Sequence, residues 1–169
     1  MDLRKSILSA VLLAVGFILH QIIPTFGGVT FDIQLAMLFV IIAINMDFKN
    51  TVVVSLASGI ITALTTKMPG GQVGNMVDKA ITGLVVYLLL MALSKVVNKN
   101  VAVAITGFIG TIVSGSIFLA TVAIFAGLPM SFAVMFMGVV LPTAAANTFL
   151  APLLYNAVNM SKKAAGLEI

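Results

Sequence analysis

The sequence predicts an all-α integral membrane protein, with residues 1–169 forming one domain of six transmembrane helices. Of the 169 residues, 61% are hydrophobic and only 8% are charged, whereas soluble domains carry about a quarter charged residues. The apolar residues also run continuously, unlike the alternating segments of a membrane β-barrel. Lipid is therefore the expected solvent for most of this surface.

Six apolar stretches approach or exceed the roughly 20 residues that a helix needs to cross a bilayer. The predicted helices cover residues 6–23, 31–46, 51–66, 76–93, 101–126 and 130–155. The second and third are short, and the fifth and sixth are long enough to tilt. Pro142 is expected to bend the sixth helix. Polar or turn-forming residues separate the helices: Pro24 with Gly27-Gly28, Asp47 to Asn50, Pro69-Gly70-Gly71, Lys95 to Asn100, and Gly127-Leu128-Pro129.

Lysine and arginine predict the orientation, because they are enriched in cytoplasmic loops. With the N-terminus inside, only Lys67 and Lys79 of the nine basic residues fall outside. The other basic residues fall on the inner side: Arg4, Lys5, Lys49, Lys95, Lys99, Lys162 and Lys163. Both termini are therefore expected in the cytoplasm. The first helix is interpreted as part of the mature protein, because no small-x-small cleavage site follows it.

Polar side chains concentrate on the predicted outer halves of the helices and in the outer loops. Such groups are costly at membrane depth and commonly face a bundle interior or a wet cavity. We therefore expect a ligand pocket that opens outward. The residues concerned are His20, Gln21, Asp32, Gln34, Thr65, Thr66, Gln72, Asn75 and Asp78.

The fourth helix supports this expectation. Asn75, Asp78, Lys79 and Thr82 are spaced to share one helical face, and a helix N-terminus suits a carboxylate ligand. Structural roles compete with a ligand role: Asn75 as N-cap, Asp78 as a partner of the helix dipole, and Lys79 extending to the lipid headgroups.

Two further polar residues have both a structural and a functional interpretation. His20 is either a satisfied interfacial residue near the end of the first helix or a ligand contact. Asp32 is expected structurally in the first turn of the second helix, with ligand binding as the alternative.

Small residues form two stripes that suit close helix packing. On the first helix, Ala10 and Ala14 indicate either internal packing or a docking surface for another membrane protein. On the fifth helix packing is the favoured interpretation, and its stripe consists of Thr106, Gly110 and Ser114, flanked by Gly107, Thr111 and Gly115. Thr143 and Asn147, one turn apart on the sixth helix, are expected to bond between helices.

The chemistry of an enzyme is poorly supported. The chain has no cysteine, one histidine and five acidic residues, with no metal-ligand spacing and no paired acids on one helix. We expect no metal, no cofactor, no nucleic-acid partner and no enzymatic activity. A structural subunit without its own ligand stays open as an alternative.

Three motifs lie in or beside the predicted outer loop between the third and fourth helices: Ala63-Leu64-Thr65-Thr66, Pro69-Gly70-Gly71-Gln72 and Asn75-Met76-Val77-Asp78-Lys79. Supporting features are His20 before Pro24, Asp32 and Asn147-Thr148. In these motifs the chain resembles the tryptophan transporter (TrpP) family of Gram-positive bacteria, and the resemblance covers nearly the whole chain.

The resemblance implies a multi-pass protein of the bacterial cell membrane that takes up L-tryptophan. The ligand's carboxylate is then expected at the start of the fourth helix, with Gln72 or Asn75 as donor, and its ammonium at Asp78 or Asp32. The glycine loop is expected to close over the pocket as a lid. Candidate aromatic contacts for the indole are Phe26, Phe31, Tyr87 and Phe125. Candidate substrate-binding residues are His20, Asp32, Gly70, Gly71, Gln72, Asn75, Asp78 and Lys79. A vitamin or tryptophan precursor is the alternative ligand.

The family is similar in fold to the S components of energy-coupling factor transporters. In that group an Ala-x-x-x-Ala pattern on the first helix docks onto a transmembrane coupling subunit, and Ala10 and Ala14 match it. This implies a complex with coupling and ATPase subunits. The chain has no phosphate-binding Gly-x-x-x-x-Gly-Lys-Ser/Thr loop of its own, so a partner or an ion gradient must supply the energy.

Overall fold

The computed structural model describes residues 3–22, 32–164 and 166, and within these ranges every regular element is helical. Among the described residues, five helical segments are long and apolar enough to cross a membrane, and a sixth, Ile33–Asn45, is shorter. The predicted all-α membrane protein with six helices is therefore confirmed. The elements are α1 (Leu3–Ile22), α2 (Ile33–Asn45), α3 (Phe48–Thr65), α4 (Gly71–Leu93), α5 (Lys99–Phe125), α6 (Phe132–Met135), a π-helical turn π1 (Phe136–Val140) and α7 (Leu141–Ala164). The last three elements follow one another without a break and form a single crossing, the sixth helix.

The short helix α2 occupies the centre of the bundle. It packs against α1, α3, α4, α5 and α7, and its side chains from Gln34 to Ala43 are almost completely buried. Its 13 residues span about 20 Å at 1.5 Å per residue, less than the roughly 30 Å hydrocarbon core. The helix observed for the predicted crossing over 31–46 is thus too short to span the hydrocarbon core, and the other helices enclose it.

Helix α4 begins at Gly71, five residues before the predicted start. Gly70 is its N-cap, with a left-handed φ of 74°, and a Cβ on Gly70 would collide with that of Ala126. The predicted capping role of Asn75 is therefore wrong. Asn75 lies in the second turn, where its side-chain amide donates to the carbonyls of Thr62 (3.3 Å) and Gly71 (3.0 Å).

The last crossing is irregular just before Pro142, where a bend was predicted. In π1 the helix widens, and the Leu141 N–H donates to the carbonyl of Phe136, five residues earlier. Pro142 has no N–H to donate to the carbonyl four residues before it, which favours this local change. Such π turns are frequent at functional sites.

The stripe of small residues on α5 packs closely against its neighbours, as predicted. A Cβ on Gly110 would lie 2.8 Å from the ring of Phe39, and the Asn147 side chain donates to Thr111 Oγ1 at 3.0 Å. The interhelical bond expected of Asn147 is therefore present. Thr143 differs, since its hydroxyl donates to the carbonyl of Val139 within the same helical segment.

A polar cluster joins α1, α2 and α3 at the opposite end of the bundle from the Gly70 turn. Asn45 Nδ2 donates to Ser9 Oγ at 2.8 Å, and Ser9 Oγ lies 3.1 Å from Asn50 Oδ1. All three side chains are buried. This cluster holds α1 against the ends of α2 and α3.

We expect Gly107→Ala to destabilise the protein. The added Cβ would meet the backbone of α7 at Asn147, 2.9 Å from its carbonyl carbon, and such overpacking costs about 1–3 kcal/mol. Thermal unfolding in detergent measures the change. Gly138→Ala is the control, because nothing lies within 4 Å of its added Cβ. Equal melting temperatures for the two variants would contradict the close α5–α7 approach.

Candidate functional site

A cavity of about 270 Å³ opens among the helix ends on the side of the Gly70 turn. Small-molecule sites commonly measure about 300–1,000 Å³. The volume of this cavity is just below that range, so the cavity suits a small ligand, the size of an amino acid. It forms where α1 and α3 end and where α2 and α4 begin, and α5, π1 and α7 close it. Its polar lining consists of His20, Gln21, Asp32, Thr62, Thr65, Thr66, Lys67, Asn75, Asp78, Lys79, Thr111, Ser114 and Thr143.

Three charged side chains form one network at the cavity wall. Lys79 Nζ lies 2.9 Å from Asp32 Oδ2 and 2.7 Å from Asp78 Oδ2. Lys79 and Asp78 are each only 1% exposed. The interpretation that Lys79 extends to the headgroups is wrong, because its ammonium is turned inward to the two carboxylates. The Asp32–Lys79–Asp78 group thus links α2 to α4.

Hydroxyl groups complete the shell of Asp78. Thr82 donates to Asp78 Oδ1 at 2.8 Å, and Ser114 on α5 donates to Oδ2 at 2.9 Å. The predicted shared face does face the bundle interior, since its four residues are all buried: Asn75, Asp78, Lys79 and Thr82. Ser114 was predicted only as a packing residue. The sequence feature that could have indicated its bond to Asp78 is its hydroxyl group, at the cavity end of the stripe of small residues.

Asp32 combines its structural role with exposure to the cavity. It is the N-cap of α2, where its Oδ1 accepts from the Leu35 N–H at 2.9 Å. Its side chain is still 24% exposed, and it lines the cavity. Asp32 therefore has a structural role at the start of α2, but as its N-cap and not in the first turn, where it was expected. Part of its carboxylate stays accessible.

His20 lies at the same cavity from the last turn of α1. Its Nδ1 is buried and has no hydrogen-bond partner among the described residues. Lys67 lines the cavity as well but is exposed. These two groups bring nitrogen donors to the part of the cavity formed by α1 and the α3–α4 turn.

The remaining wall is apolar and is built mainly by α5 and π1. The aromatic side chain in its described lining is Phe118, which was not among the predicted aromatic contacts. Phe125 is 68% exposed and outside the cavity lining, and Tyr87 packs against Phe48 with ring centroids 5.8 Å apart. The candidates Phe26 and Phe31 lie outside the described residues. The apolar lining is Leu35, Met68, Gly115, Phe118, Leu119, Met135, Val139 and Val140.

The glycine segment lies beside the cavity and not in its described lining. Gln72 is exposed in the first turn of α4, and Gly70 and Gly71 form the cap and first residue of that helix. Of the predicted substrate-binding residues, the structure brings together His20, Asp32, Asn75, Asp78 and Lys79. It places Gly70, Gly71 and Gln72 outside this group.

A separate shallow groove lies between α1 and α3. Ala10 and Ala14 are both exposed on α1, so the small-residue pair does not pack inside the bundle. The lining is almost entirely apolar: Ala10, Leu13, Ala14, Phe17, Ile61, Leu64 and Thr65. Among the residues that the structure describes, no group of three or more potential metal ligands occurs.

Sequence comparisons agree with the resemblance noted above. The family model described as tryptophan transporter TrpP matches residues 2–163. A probable tryptophan transport protein of Clostridium perfringens is 44% identical over 95% of this chain and 93% of its own length. Proteins of the same description from Clostridium acetobutylicum (96% of both chains) and Bacillus subtilis (92% of this chain, 90% of the relative) are each 38% identical. No solved structure matches significantly. The chain therefore belongs to the tryptophan transporter TrpP family.

Proposed function

We propose that this protein carries L-tryptophan into the bacterial cell by binding it from outside in the cavity described above. The observation that carries this proposal is the cavity itself, which has a charged, hydrogen-bonding wall and an apolar wall containing Phe118. A zwitterionic amino acid with a flat apolar side chain needs both. The relatives described as probable tryptophan transport proteins support this choice of ligand.

Each of the two walls binds a different part of the ligand. The indole ring packs against Phe118, Leu119 and Val140, and the amino-acid group lies toward Asp32 and His20. Asn75 is not the carboxylate donor, because its side-chain amide already donates to Thr62 and Gly71. It shapes the site by holding the end of α3 against α4. The Thr66–Gly70 turn is the proposed lid, since Thr66, Lys67 and Met68 border the cavity.

The cavity opens to the outside, with both termini in the cytoplasm. The distribution of basic residues supports this orientation. With Lys79 buried in the bundle, Lys67 is the one basic residue left in a predicted outer loop.

We expect cysteine labelling to report this orientation without background, because the chain contains no native cysteine. Gln72→Cys, exposed at the cavity end, should react in intact cells with a membrane-impermeant maleimide. Val96→Cys, 83% exposed in the α4–α5 turn, should react only after the cells are opened. The reverse pattern would place the cavity on the cytoplasmic side.

We expect Phe118→Ala to weaken tryptophan binding by about 30- to 150-fold, since losing a buried aromatic contact costs about 2–3 kcal/mol. Equilibrium binding to the purified protein measures this. Phe125→Ala is the matched control on the same helix, because Phe125 is exposed outside the cavity. Unchanged affinity in a folded Phe118→Ala protein would remove the cavity as the binding site.

The alternative ligands are distinguished by a binding panel on the unmodified protein. A vitamin or a tryptophan precursor fits the same general description of a flat apolar group with polar substituents. Tight binding of one of these, without tryptophan binding, would assign the cavity to that ligand and contradict the proposal.

Energy for transport is proposed to come from a complex with a transmembrane coupling subunit and its ATPase subunits. The exposure of Ala10 and Ala14 in an apolar groove favours a docking surface on α1, because small residues allow close helix approach. The alternative is an ion gradient acting on this chain alone.

We expect Ala14→Leu to fill the groove and reduce tryptophan uptake by about tenfold or more, while the purified variant still binds tryptophan. Val11→Leu, at an exposed position on α1 outside the groove lining, is the control. Uptake is compared in cells with and without the general coupling proteins. Uptake that persists without those proteins and stops with a gradient uncoupler would contradict the coupled complex.

A further inference from the structure

The Asp32–Lys79–Asp78 group contains two carboxylates and one ammonium. The same Lys79 Nζ contacts both carboxylates, at 2.9 Å and 2.7 Å. As charged groups, the three side chains carry one net negative charge. No other lysine or arginine among the described residues contacts either carboxylate, and Lys67 stands exposed at the cavity rim.

The excess negative charge is most accessible at Asp32. A carboxylate offers about four acceptor positions. Asp78 uses three, with Lys79, Thr82 and Ser114 as donors, and is almost completely buried. Among the described residues, Asp32 accepts from two donors, Lys79 and the Leu35 N–H, and its side chain is 24% exposed at the cavity. These residues therefore leave acceptor positions of Asp32 for another donor.

An unbalanced charge inside a membrane-spanning bundle is costly unless a partner compensates it. The open edge of Asp32 is the part of its carboxylate that is exposed to the cavity. A ligand that brings a cation there would neutralise the excess negative charge of the Asp32–Lys79–Asp78 group. A carboxylate on the ligand would be bound more weakly than an ammonium. Lys67, which could pair with it, is exposed to solvent, and exposed ion pairs contribute little. His20 adds one buried nitrogen, Nδ1, that has no hydrogen-bond partner within the described ranges.

We propose that the open edge of Asp32 is an ammonium site and that the cavity selects its ligand chiefly by the ligand's amine, with the carboxylate secondary. This inference rests on the proposed binding of tryptophan in the cavity. It narrows the ligand class to indole amines: the ligand supplies the positive charge that the Asp32–Lys79–Asp78 group lacks, and Lys79 positions Asp32 to receive it.

The first test measures how well three compounds displace labelled tryptophan from the unmodified protein: unlabelled tryptophan, tryptamine and indole-3-propionate. Tryptamine keeps the ammonium and lacks the carboxylate, whereas indole-3-propionate keeps the carboxylate and lacks the ammonium. We expect tryptamine to compete within about tenfold of unlabelled tryptophan. Indole-3-propionate should be about 10- to 100-fold weaker than tryptamine, the range for one charged hydrogen bond. Equal or stronger competition by indole-3-propionate would overturn the proposal.

The second test is Asp32→Asn, with Asp47→Asn as its matched control. Both aspartates are N-caps that accept from a backbone N–H three residues later, and asparagine caps helices about as well as aspartate. Asp47 caps α3 at the other end of α2. We expect Asp32→Asn to lose about 10- to 100-fold in affinity for tryptophan and tryptamine, and Asp47→Asn to lose neither.

The two proposals fail in different ways. If the unmodified protein does not bind tryptophan, the proposed function fails. If it binds tryptophan and Asp32→Asn still prefers tryptamine to indole-3-propionate, only the ammonium site fails. Dependence of tryptophan binding on Na⁺, with tryptamine unable to compete, would assign the edge of Asp32 to an inorganic cation and also overturn the proposal.

Discussion

The contact of one lysine with two carboxylates is the interaction on which the cavity depends. Lys79, Asp32 and Asp78 come from two helices, and each would be costly in the bundle interior alone. Removing one member of a buried ion pair typically costs about 3–5 kcal/mol, because its partner is left uncompensated. The group therefore constrains the relative position of α2 and α4. Thr82 and Ser114 extend the constraint along α4 and to α5.

The central helix α2 makes this contact possible. Lys79 lies eight residues beyond the start of α4 at Gly71, about 12 Å along the helix axis at 1.5 Å per residue. A longer α2 would carry Asp32 past this level, toward the membrane surface. Because α2 has only 13 residues, its N-cap lies within the bundle. The shortness of α2 thus places a capping aspartate beside a buried lysine and leaves space for the cavity.

The small residues of α5 have two roles along one face. Toward the start of the helix, Gly107 and Gly110 allow close approach of the α7 backbone and the Phe39 ring. Farther along, Ser114 and Gly115 border the cavity, and Ser114 donates to Asp78. The same property, small size, serves packing at one level and ligand space at another. The π turn on the facing segment brings Val139 and Val140 to this wall.

Composition and hydropathy alone determined the membrane class, the six helices and the end of the bundle where polar chemistry collects. These are local properties: apolar runs, turn residues and the spacing of Asn75, Asp78 and Thr82 on one helical face. The sequence also indicated His20 and Asp32 as candidates, because polar groups are rare in such a chain. Asn75, Asp78 and Lys79 were likewise identified before their contacts were known.

Only the tertiary structure decided what these residues contact. A lysine near a helix end has the same local signature whether it reaches the headgroups or turns inward, so the burial of Lys79 depends on Asp32, 47 positions away in the chain. The role of Phe118 and the exposure of Phe125 likewise depend on which face of α5 meets the neighbouring helices. Gln72 and Asn75 differ in burial because helical rotation turns one outward and the other inward. Contacts between distant segments determine such choices, and hydropathy does not encode them.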